Sequence, residues 1–270
     1  MMRKNFATVV LMIISSLTPF LGFAQETSEK QNPPKMKIEI WSDVMCPFCY
    51  IGKRKIEKAI DQFPQKSQVE IEWKSFQLNP NMETDTSKNV IEYLAEVKGI
   101  PLEQAKAMNN HVTQMAAGMG LTYNMNDAVV ANSFNAHRFT HFAKTKGKQL
   151  EAEEALFKAY FTDGLNTDDL NTLAELSQSI GIPKEETLTM LNSNQFADEV
   201  NQDILESGQL GVQGVPFFVF DKKYAISGAQ EDQVFTNTLA KAFEEWQAAQ
   251  EKPKLKVVEG ESWKPDGNCD

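Results

Sequence analysis

Cys46 and Cys49 are the two side chains in this sequence whose spacing is most typical of a defined chemistry, and Pro47 and Phe48 separate them. Two thiols three positions apart can form a disulfide with each other and can exchange it with another thiol. The thiolate is the nucleophile in that exchange. The spacing therefore indicates dithiol redox chemistry, in which one cysteine attacks and the other resolves a mixed disulfide.

The flanking residues indicate that a strand enters this motif and a helix leaves it. Apolar and charged residues alternate from residue 36 to 40, and apolar residues recur three and four positions apart from residue 49 to 63. We therefore expect Cys46 at the helix N-terminus, where the helix dipole and unpaired N–H groups stabilise a thiolate. Cys46 is then the attacking sulfur and Cys49 the resolving one. Lys53 and Arg54 either add positive charge to this site or are simply solvated.

A zinc site is the structural alternative for these two cysteines. Structural zinc needs four ligands, and the chain has no second pair of cysteines at this spacing. His137 and His141 have helical i,i+4 spacing, but they lie far beyond the separation usual in zinc fingers. We therefore predict a redox pair and no metal.

Residues 1–24 have the features of a secretory signal peptide. Arg3 and Lys4 precede a largely apolar run, and small residues end the segment at Ala24. The run is too short and too interrupted for a good membrane span. We expect an exported protein, periplasmic if the source is a Gram-negative bacterium and otherwise extracytoplasmic. In such compartments disulfides form and persist.

The charge of the chain argues against two classes of partner. The net charge of the whole chain is −10, and removal of Arg3 and Lys4 with the signal peptide would make it −12. An acidic, exported protein is poorly suited to bind nucleic acid or an anionic membrane. We expect no nucleic-acid partner and no stable membrane insertion.

The rest of the chain divides by its pattern of apolar residues and helix breakers. We predict a linker at 25–35, a first α/β part at 36–79, a helical insertion at 80–195, a second α/β part at 196–250 and a C-terminal tail at 251–270. The insertion contains six helical segments separated by Gly and Pro, and the second part contains a helix, a strand hairpin and a last helix. Cys269 falls in the tail, and its role stays open.

Five segments make the sequence resemble the DsbA-like thioredoxin family, and within it the FrnE-like branch. They are Ser42 to Gly52, Asn132 to Arg138, Leu156 to Phe161, Gly211 to Phe218 and Ser227 to Gln230. The resemblance implies an α/β thioredoxin fold with a large helical domain inserted between its N-terminal βαβ and C-terminal ββα parts. It also implies a cis peptide bond at Val215-Pro216, facing the CxxC motif and presenting the backbone of Val215 to substrate.

Phe48 is a departure from the familiar DsbA oxidases, which have histidine at this position. An apolar ring cannot donate a hydrogen bond to a thiolate, so we expect a less oxidising disulfide than that of DsbA. Related kappa-class glutathione transferases and hydroxychromene-carboxylate isomerases have serine in place of the first cysteine. The presence of both Cys46 and Cys49 favours dithiol chemistry.

Three further residues are candidates for a supporting role around the cysteines. Asp43 precedes Cys46 by three positions, and we predict that it caps the start of the helix rather than relaying protons. His137 and Arg138 could line the cleft above Cys46 or could make hydrogen bonds within the insertion, and we favour the second interpretation. Glu39 is a candidate buried acid whose facing the strand pattern leaves open.

The leading functional hypothesis is an exported thiol–disulfide oxidoreductase that acts on protein thiols with an unidentified redox partner. Its substrate, its direction (oxidase, or isomerase and reductase) and its oligomeric state stay open. It needs no cofactor besides the disulfide, and glutathione could serve as co-substrate. The alternatives are a glutathione-dependent transferase or isomerase, which would not need Cys49, and a peptide-binding or chaperone module, which would not need Cys46.

Overall fold

The computed structural model describes residues 33–250 of the chain. The predicted signal peptide, most of the predicted linker and the tail with Cys269 lie outside these residues. Within the described part, no helix has both the length and the apolar composition needed to cross a membrane.

The described residues form six strands and nine α-helices, and most of the helices lie between the second and the fifth strand. They are β1 (Met36–Ser42), α1 (Pro47–Asp61), β2 (Val69–Ser75), β3 (Asp85–Asn89), α2 (Val90–Lys98), α3 (Leu102–Gly118), β4 (Val129–Val130), α4 (Phe134–Thr145), α5 (Gln149–Phe161), α6 (Leu170–Ser179), α7 (Lys184–Leu191), α8 (Ala197–Gln209), β5 (Phe217–Phe220), β6 (Tyr224–Ser227) and α9 (Asp232–Gln250).

A four-stranded sheet in the order β2-β1-β5-β6 forms the centre of the fold. The β1 strand pairs in parallel with β2 and antiparallel with β5, and β5 pairs antiparallel with β6. Because β1 lies in the interior of the sheet, its residues are buried on both faces except Lys37. This is the predicted thioredoxin arrangement, with βαβ before the insertion and ββα after it.

Helices cover both faces of this sheet. The α1 and α9 helices pack on each other, and Phe63, just after α1, meets Phe243 of α9 edge to face with ring centroids 5.0 Å apart. The α8 helix contacts β2, and the indole Nε1 of Trp41 donates to the carbonyl of Asp203 at 3.0 Å. Burial of these aromatic side chains fixes α1, and therefore the CxxC motif, against the sheet.

The helical insertion runs from α2 to α7, and all six predicted helices are present. Helix α4 begins at Phe134 rather than at Asn132, because the Asn132 side chain accepts the Phe134 N–H at 2.8 Å and ends the preceding loop. The apolar interior of the insertion is continuous with the core of the sheet, because the fully buried Phe157 packs against Tyr50 of α1 and Trp73 of β2. The exact domain boundaries stay a prediction.

Two features differ from the sequence prediction. Phe76 and Leu78 continue the apolar alternation of this segment, but strand β2 ends at Ser75. The Phe76 N–H still donates to the carbonyl of Ser42 on β1, whereas the Leu78 N–H turns to the carboxylate of Asp43. A small second sheet of β3 and β4 lies inside the insertion. Its strands are short and one is polar, so no alternation of apolar residues marked them.

Candidate active site

Cys46 is the N-cap residue of α1, and the helix begins with Pro47. Proline suits this position because the first helical residue has no intrahelical partner for an N–H group. The N–H of Cys49 donates to the carbonyl of Cys46 at 3.0 Å. The Cys46 thiol is 4% exposed and donates to the carbonyl of Val215 at 3.4 Å. Cys46 therefore lies at the N-terminus of the helix, as predicted.

Cys49 lies one turn inside the helix and is fully buried. Both thiols of the pair are free in this structure. Burial raises the pKa of Cys49 well above its ordinary value, and the neighbouring Cys46 sulfur adds to the effect. The two sulfurs therefore have unequal environments, since one meets the Val215 carbonyl and the other is enclosed in the core.

The peptide bond between Val215 and Pro216 is cis. Gly52 lies directly against this proline, and a Cβ atom at residue 52 would stand 2.9 Å from Pro216 Cγ and 3.0 Å from the ring of Phe218. Only glycine allows α1 to approach this closely. Gly52 is part of the motif in the sequence, but this role could not be predicted there, because it depends on a contact across 164 positions of the chain.

The two residues between the cysteines differ in exposure. The carbonyl of Pro47 accepts a hydrogen bond from the hydroxyl of Tyr123 at 2.7 Å, which ties the motif to the insertion. Phe48 is 41% exposed. Its ring therefore offers apolar surface to the solvent beside the cysteines.

Asp43 does not cap α1, and that prediction was wrong. The start of α1 has no side-chain cap. The fully buried carboxylate of Asp43 instead accepts the N–H of Leu78 at 2.7 Å and lies near the N–H of Met45 at 3.4 Å. It therefore fixes the loop after β1 to the segment that leads into the insertion.

His137 lies beside Asp43, so the interpretation that it bonds only within the insertion was wrong. Its Nε2–H donates to the carbonyl of Phe76 at 2.9 Å, and the same nitrogen is 3.7 Å from Asp43 Oδ1. Burial alone would lower the pKa of His137, but the carboxylate of Asp43 outweighs it and raises this pKa.

Arg138 follows the favoured interpretation. Its guanidinium donates to the backbone carbonyls of Met190, Leu191, Ser193 and Gln195, all at the end of the insertion. It ties α4 to α7 and to the loop that follows, and it makes no contact with the cysteines.

Glu39 is buried, as that candidate role requires, and Glu153 is a second buried acid, with Asp43 and His137 among its charged neighbours. Glu39 is on the β1 face that carries Trp41, near Lys74 and Lys222, and burial raises its pKa. Glu153 of α5 is 3% exposed, and burial raises its pKa to about 7 in spite of the opposing charges of His137 and Lys53. The sequence pattern does not reveal that Glu153 is buried, because the face that each element buries depends on its tertiary partner.

Lys53 and Arg54 are neither solvated nor free to act on a thiolate. The Lys53 Nζ lies 2.5 Å from Glu57 and 2.6 Å from Glu154, and Arg54 pairs with the same two acids. The hydroxyl of Tyr50 also donates to Glu154 at 2.6 Å. Burial alone would raise the pKa of Glu154, but these partners outweigh burial and hold this pKa at about 2.

The two histidines named in the zinc alternative have separate partners. His141 lies 3.0 Å from Asp203 and 3.1 Å from the hydroxyl of Ser75, whereas His137 bonds the carbonyl of Phe76. Within residues 33–250, no three His, Cys, Asp or Glu side chains are grouped so as to hold a metal ion.

Known proteins similar to this chain share its fold. The probable DsbA oxidoreductase of Streptomyces coelicolor is 37% identical, covers 87% of this chain and 98% of its own, and superposes with a TM-score of 0.73. The uncharacterised protein YwbO of Bacillus subtilis is 25% identical over 215 residues, which are 75% of this chain and 95% of YwbO. The cytosolic disulfide reductase DsbM of Pseudomonas aeruginosa is 12% identical, covers 79% of this chain and 98% of its own, and has a TM-score of 0.54, so it shares the fold alone.

The family profile described as the DSBA-like thioredoxin domain matches residues 37–240. The match includes the CxxC motif, the insertion, the Val215-Pro216 turn and the start of α9. This chain therefore belongs to the DsbA-like thioredoxin family.

Proposed function

We propose that the protein is an exported thiol–disulfide oxidoreductase that exchanges disulfides with protein thiols through Cys46 and Cys49. The observation that carries this proposal is the pair itself. Cys46 is the N-cap residue of α1 and its thiol donates to the Val215 carbonyl, and the fully buried Cys49 lies one turn behind it.

In the reducing direction, the Cys46 thiolate attacks one sulfur of a substrate disulfide. A Cys46–substrate disulfide forms, the substrate S–S bond breaks, and the second substrate sulfur leaves as a thiolate that takes up a proton. Cys49 then loses its proton and attacks Cys46 Sγ. The Cys46–Cys49 disulfide forms, the substrate leaves as a dithiol, and two electrons have passed to it from the protein. The oxidising direction is the reverse of these steps.

Both cysteines are buried, and the complete enclosure of Cys49 supports this division of roles. The raised pKa of Cys49 keeps it as a thiol, so it does not compete with Cys46 for the incoming disulfide. Once Cys46 holds the substrate, Cys49 is the adjacent sulfur because one helical turn joins them.

Trapping of the mixed disulfide tests the proposal. Cys49→Ala is expected to accumulate a covalent adduct with a disulfide-bonded substrate such as insulin, visible by non-reducing electrophoresis, and Cys46→Ala is expected to form none. Turnover should be lost in both variants. Full turnover by Cys49→Ser would support the glutathione-dependent transferase instead. Function intact in Cys46→Ala would support the chaperone.

Export rests on residues 1–24 and has its own test. Expression of the full chain in a Gram-negative host, followed by periplasmic extraction and N-terminal sequencing, is expected to give a mature protein that begins at Gln25. An intact N-terminus on a cytoplasmic protein would contradict export and leave the thiol chemistry untouched.

A further inference from the structure

Ser42 is the last residue of β1, and its side chain is 2% exposed. Its hydroxyl has no hydrogen-bond partner among the described residues. The neighbour that this hydroxyl faces is the sulfur of Cys49, which is a fully buried thiol one turn inside α1. A buried hydroxyl without a partner costs free energy, and this one lies beside the resolving sulfur.

The backbone around Ser42 is held by hydrogen bonds on both sides. The carbonyl of Ser42 accepts the N–H of Phe76 at 3.0 Å, and the carbonyl of Asp43 accepts the N–H of Cys46 at 3.0 Å. The N–H of Asp43 also faces the sulfur of Cys49. Two donors, one hydroxyl and one N–H, therefore converge on this sulfur from a segment that is fixed in place.

Two donors suit a sulfur anion better than they suit a neutral thiol. The sulfur of a thiol is a weak hydrogen-bond acceptor, whereas hydrogen bonds to a charged group are shorter and stronger. Burial raises the pKa of Cys49 and keeps the resting residue a thiol, so the anion forms only in the step in which Cys49 attacks Cys46. An interaction that gains strength only in that step accelerates it.

We propose that the hydroxyl of Ser42 donates a hydrogen bond to the Cys49 thiolate as this thiolate attacks the mixed disulfide. In this step the Cys49–Cys46 bond forms and the Cys46–substrate bond breaks. The substrate sulfur leaves with the electron pair and takes up the proton that Cys49 has lost, and Ser42 keeps its own proton. This inference rests on the proposed function, and it makes Ser42 a catalytic residue of the second half of the exchange alone.

Release of a coloured thiolate separates the two halves of the exchange. The reduced protein is mixed in a stopped-flow instrument with one equivalent of dithiobis(nitrobenzoic acid), whose thiolate absorbs visible light. Attack by Cys46 releases the first nitrobenzoate thiolate, and attack by Cys49 on the resulting mixed disulfide releases the second. The first phase tests the proposed function, and the second phase measures the step in which Ser42 acts.

Ser42→Ala should slow the second phase and leave the first phase unchanged. Loss of a hydrogen bond to an anion lowers the thiolate fraction by about tenfold or more, and the higher nucleophilicity of a more basic thiolate offsets about half of this loss on a logarithmic scale. We therefore expect the second phase to be about fivefold slower at neutral pH. The midpoint of urea unfolding should not fall, because the substitution removes a buried hydroxyl that has no partner.

Two further variants separate the hydroxyl from the packing around it. Ser42→Thr retains a hydroxyl and is expected to restore most of the wild-type rate of the second phase. Ser75→Ala is the matched control, because Ser75 pairs with Ser42 in the register of β1 and β2 and is 3% exposed. Its hydroxyl lies 3.1 Å from His141 Nε2 instead of facing a cysteine. Both phases should therefore keep their wild-type rates in Ser75→Ala.

Each outcome decides the proposal. A second phase as fast in Ser42→Ala as in the wild type would overturn the role of Ser42 and leave the proposed function standing. An equally slow second phase in Ser42→Thr, or in Ser75→Ala, would assign the effect to packing and would also overturn it. Slowing of both phases by the same factor would place the effect at Cys46 or in the fold, with the same consequence. Release of no second thiolate by the wild-type protein would overturn the proposed function and this inference together.

Discussion

Two regions along helix α1, each with the residues that pack against it, differ in charge. The first, which we call the neutral mouth, surrounds the N-terminus and consists of Cys46, Phe48, Val215 and Pro216. In this region the Cys46 thiol contacts the Val215 carbonyl at 3.4 Å. No ionisable group other than the thiol itself belongs to it.

The second region begins one turn later and is densely charged. We call it the charged flank, and it consists of Lys53, Arg54, Glu57, Glu153 and Glu154. Four of these side chains are joined in ion pairs. The fifth is Glu153, and the positive charge of Lys53 acts to lower its pKa. Helices α1 and α5 meet through this region.

A cation close in sequence to a cysteine is therefore not necessarily close to its thiol or available to stabilise the thiolate. Lys53 and Arg54 stand within two turns of Cys46, yet the acids of the flank take their charges. We therefore expect the redox properties of the pair to depend on the helix N-terminus and the neutral mouth, and the stability of the fold to depend on the charged flank. Substitutions in the two regions should separate these effects.

Glu153→Gln should have the largest effect, and it concerns stability as a function of pH. Since the pKa of Glu153 is raised from 4.5 to about 7, the folded protein retains a proton that the unfolded chain releases. Stability therefore falls as pH rises from about 4.5 to about 7, by about 3 kcal/mol from this group. The raised pKa of His137 acts in the same direction.

Urea unfolding of Glu153→Gln between pH 5 and 8 should show a flatter profile than that of the wild type and greater stability at pH 8. Glu151→Gln, an exposed change on the same helix, is the control and should keep the wild-type profile. An unchanged slope in Glu153→Gln would show that this carboxyl does not bear the proton.

Glu154→Ala should destabilise the fold by about 2 kcal/mol, because the nearly buried Lys53 loses a partner and Arg54 and Tyr50 lose theirs. The reduction potential of the cysteine pair should change by less than about 10 mV, which is about 0.5 kcal/mol. Unfolding and glutathione equilibration measure the two quantities. Glu57→Ala is the matched control and should cost less, because it leaves Glu154 in place. A large shift in potential would join the charged flank to the redox site.

Phe48→His should act on potential rather than on stability. An imidazole N–H between the cysteines can donate to the thiolate, which the phenyl ring cannot, and stabilising the reduced form makes the disulfide more oxidising. We expect a rise of about 30 mV, or about 1.4 kcal/mol. Phe48→Leu has no donor and should keep the wild-type potential. If the reduction potential changes equally in both variants, the change comes from the loss of the phenyl ring and not from the imidazole N–H.

The sequence predicted the fold to the extent that local periodicity encodes it. The strand and the helix around the CxxC motif could be predicted because the periodicity of apolar residues changes from two to about 3.6 near Cys46. The helices of the insertion could be predicted because Gly and Pro residues separate them. The β3 and β4 strands were not predicted, because β3 is polar throughout and shows no alternation of apolar residues. Its pairing with β4 joins residues 85–89 to residues 129–130, which the local sequence does not indicate.

The candidate site was predicted where chemistry depends on residue type and missed where it depends on tertiary contact. Cys46 and Cys49 are recognisable from spacing alone. Asp43 was predicted as a cap because nothing local reveals the Leu78 N–H, 35 positions away. Glu153 and Glu154 are adjacent acids on one helix, and only tertiary packing distinguishes them. Glu153 is buried beside Thr140 and His137 of α4, and Glu154 forms ion pairs with residues of α1.

The reduction potential of the Cys46–Cys49 pair tests the central claim most directly. The protein without residues 1–24 would be equilibrated in glutathione redox buffers, and the fraction of disulfide measured by alkylation and mass spectrometry. The neutral mouth predicts a disulfide with a potential of about −180 mV or lower, and a value near the roughly −120 mV of DsbA would contradict the argument from Phe48. A pair that forms no disulfide at any ratio of oxidised to reduced glutathione would contradict the dithiol mechanism itself.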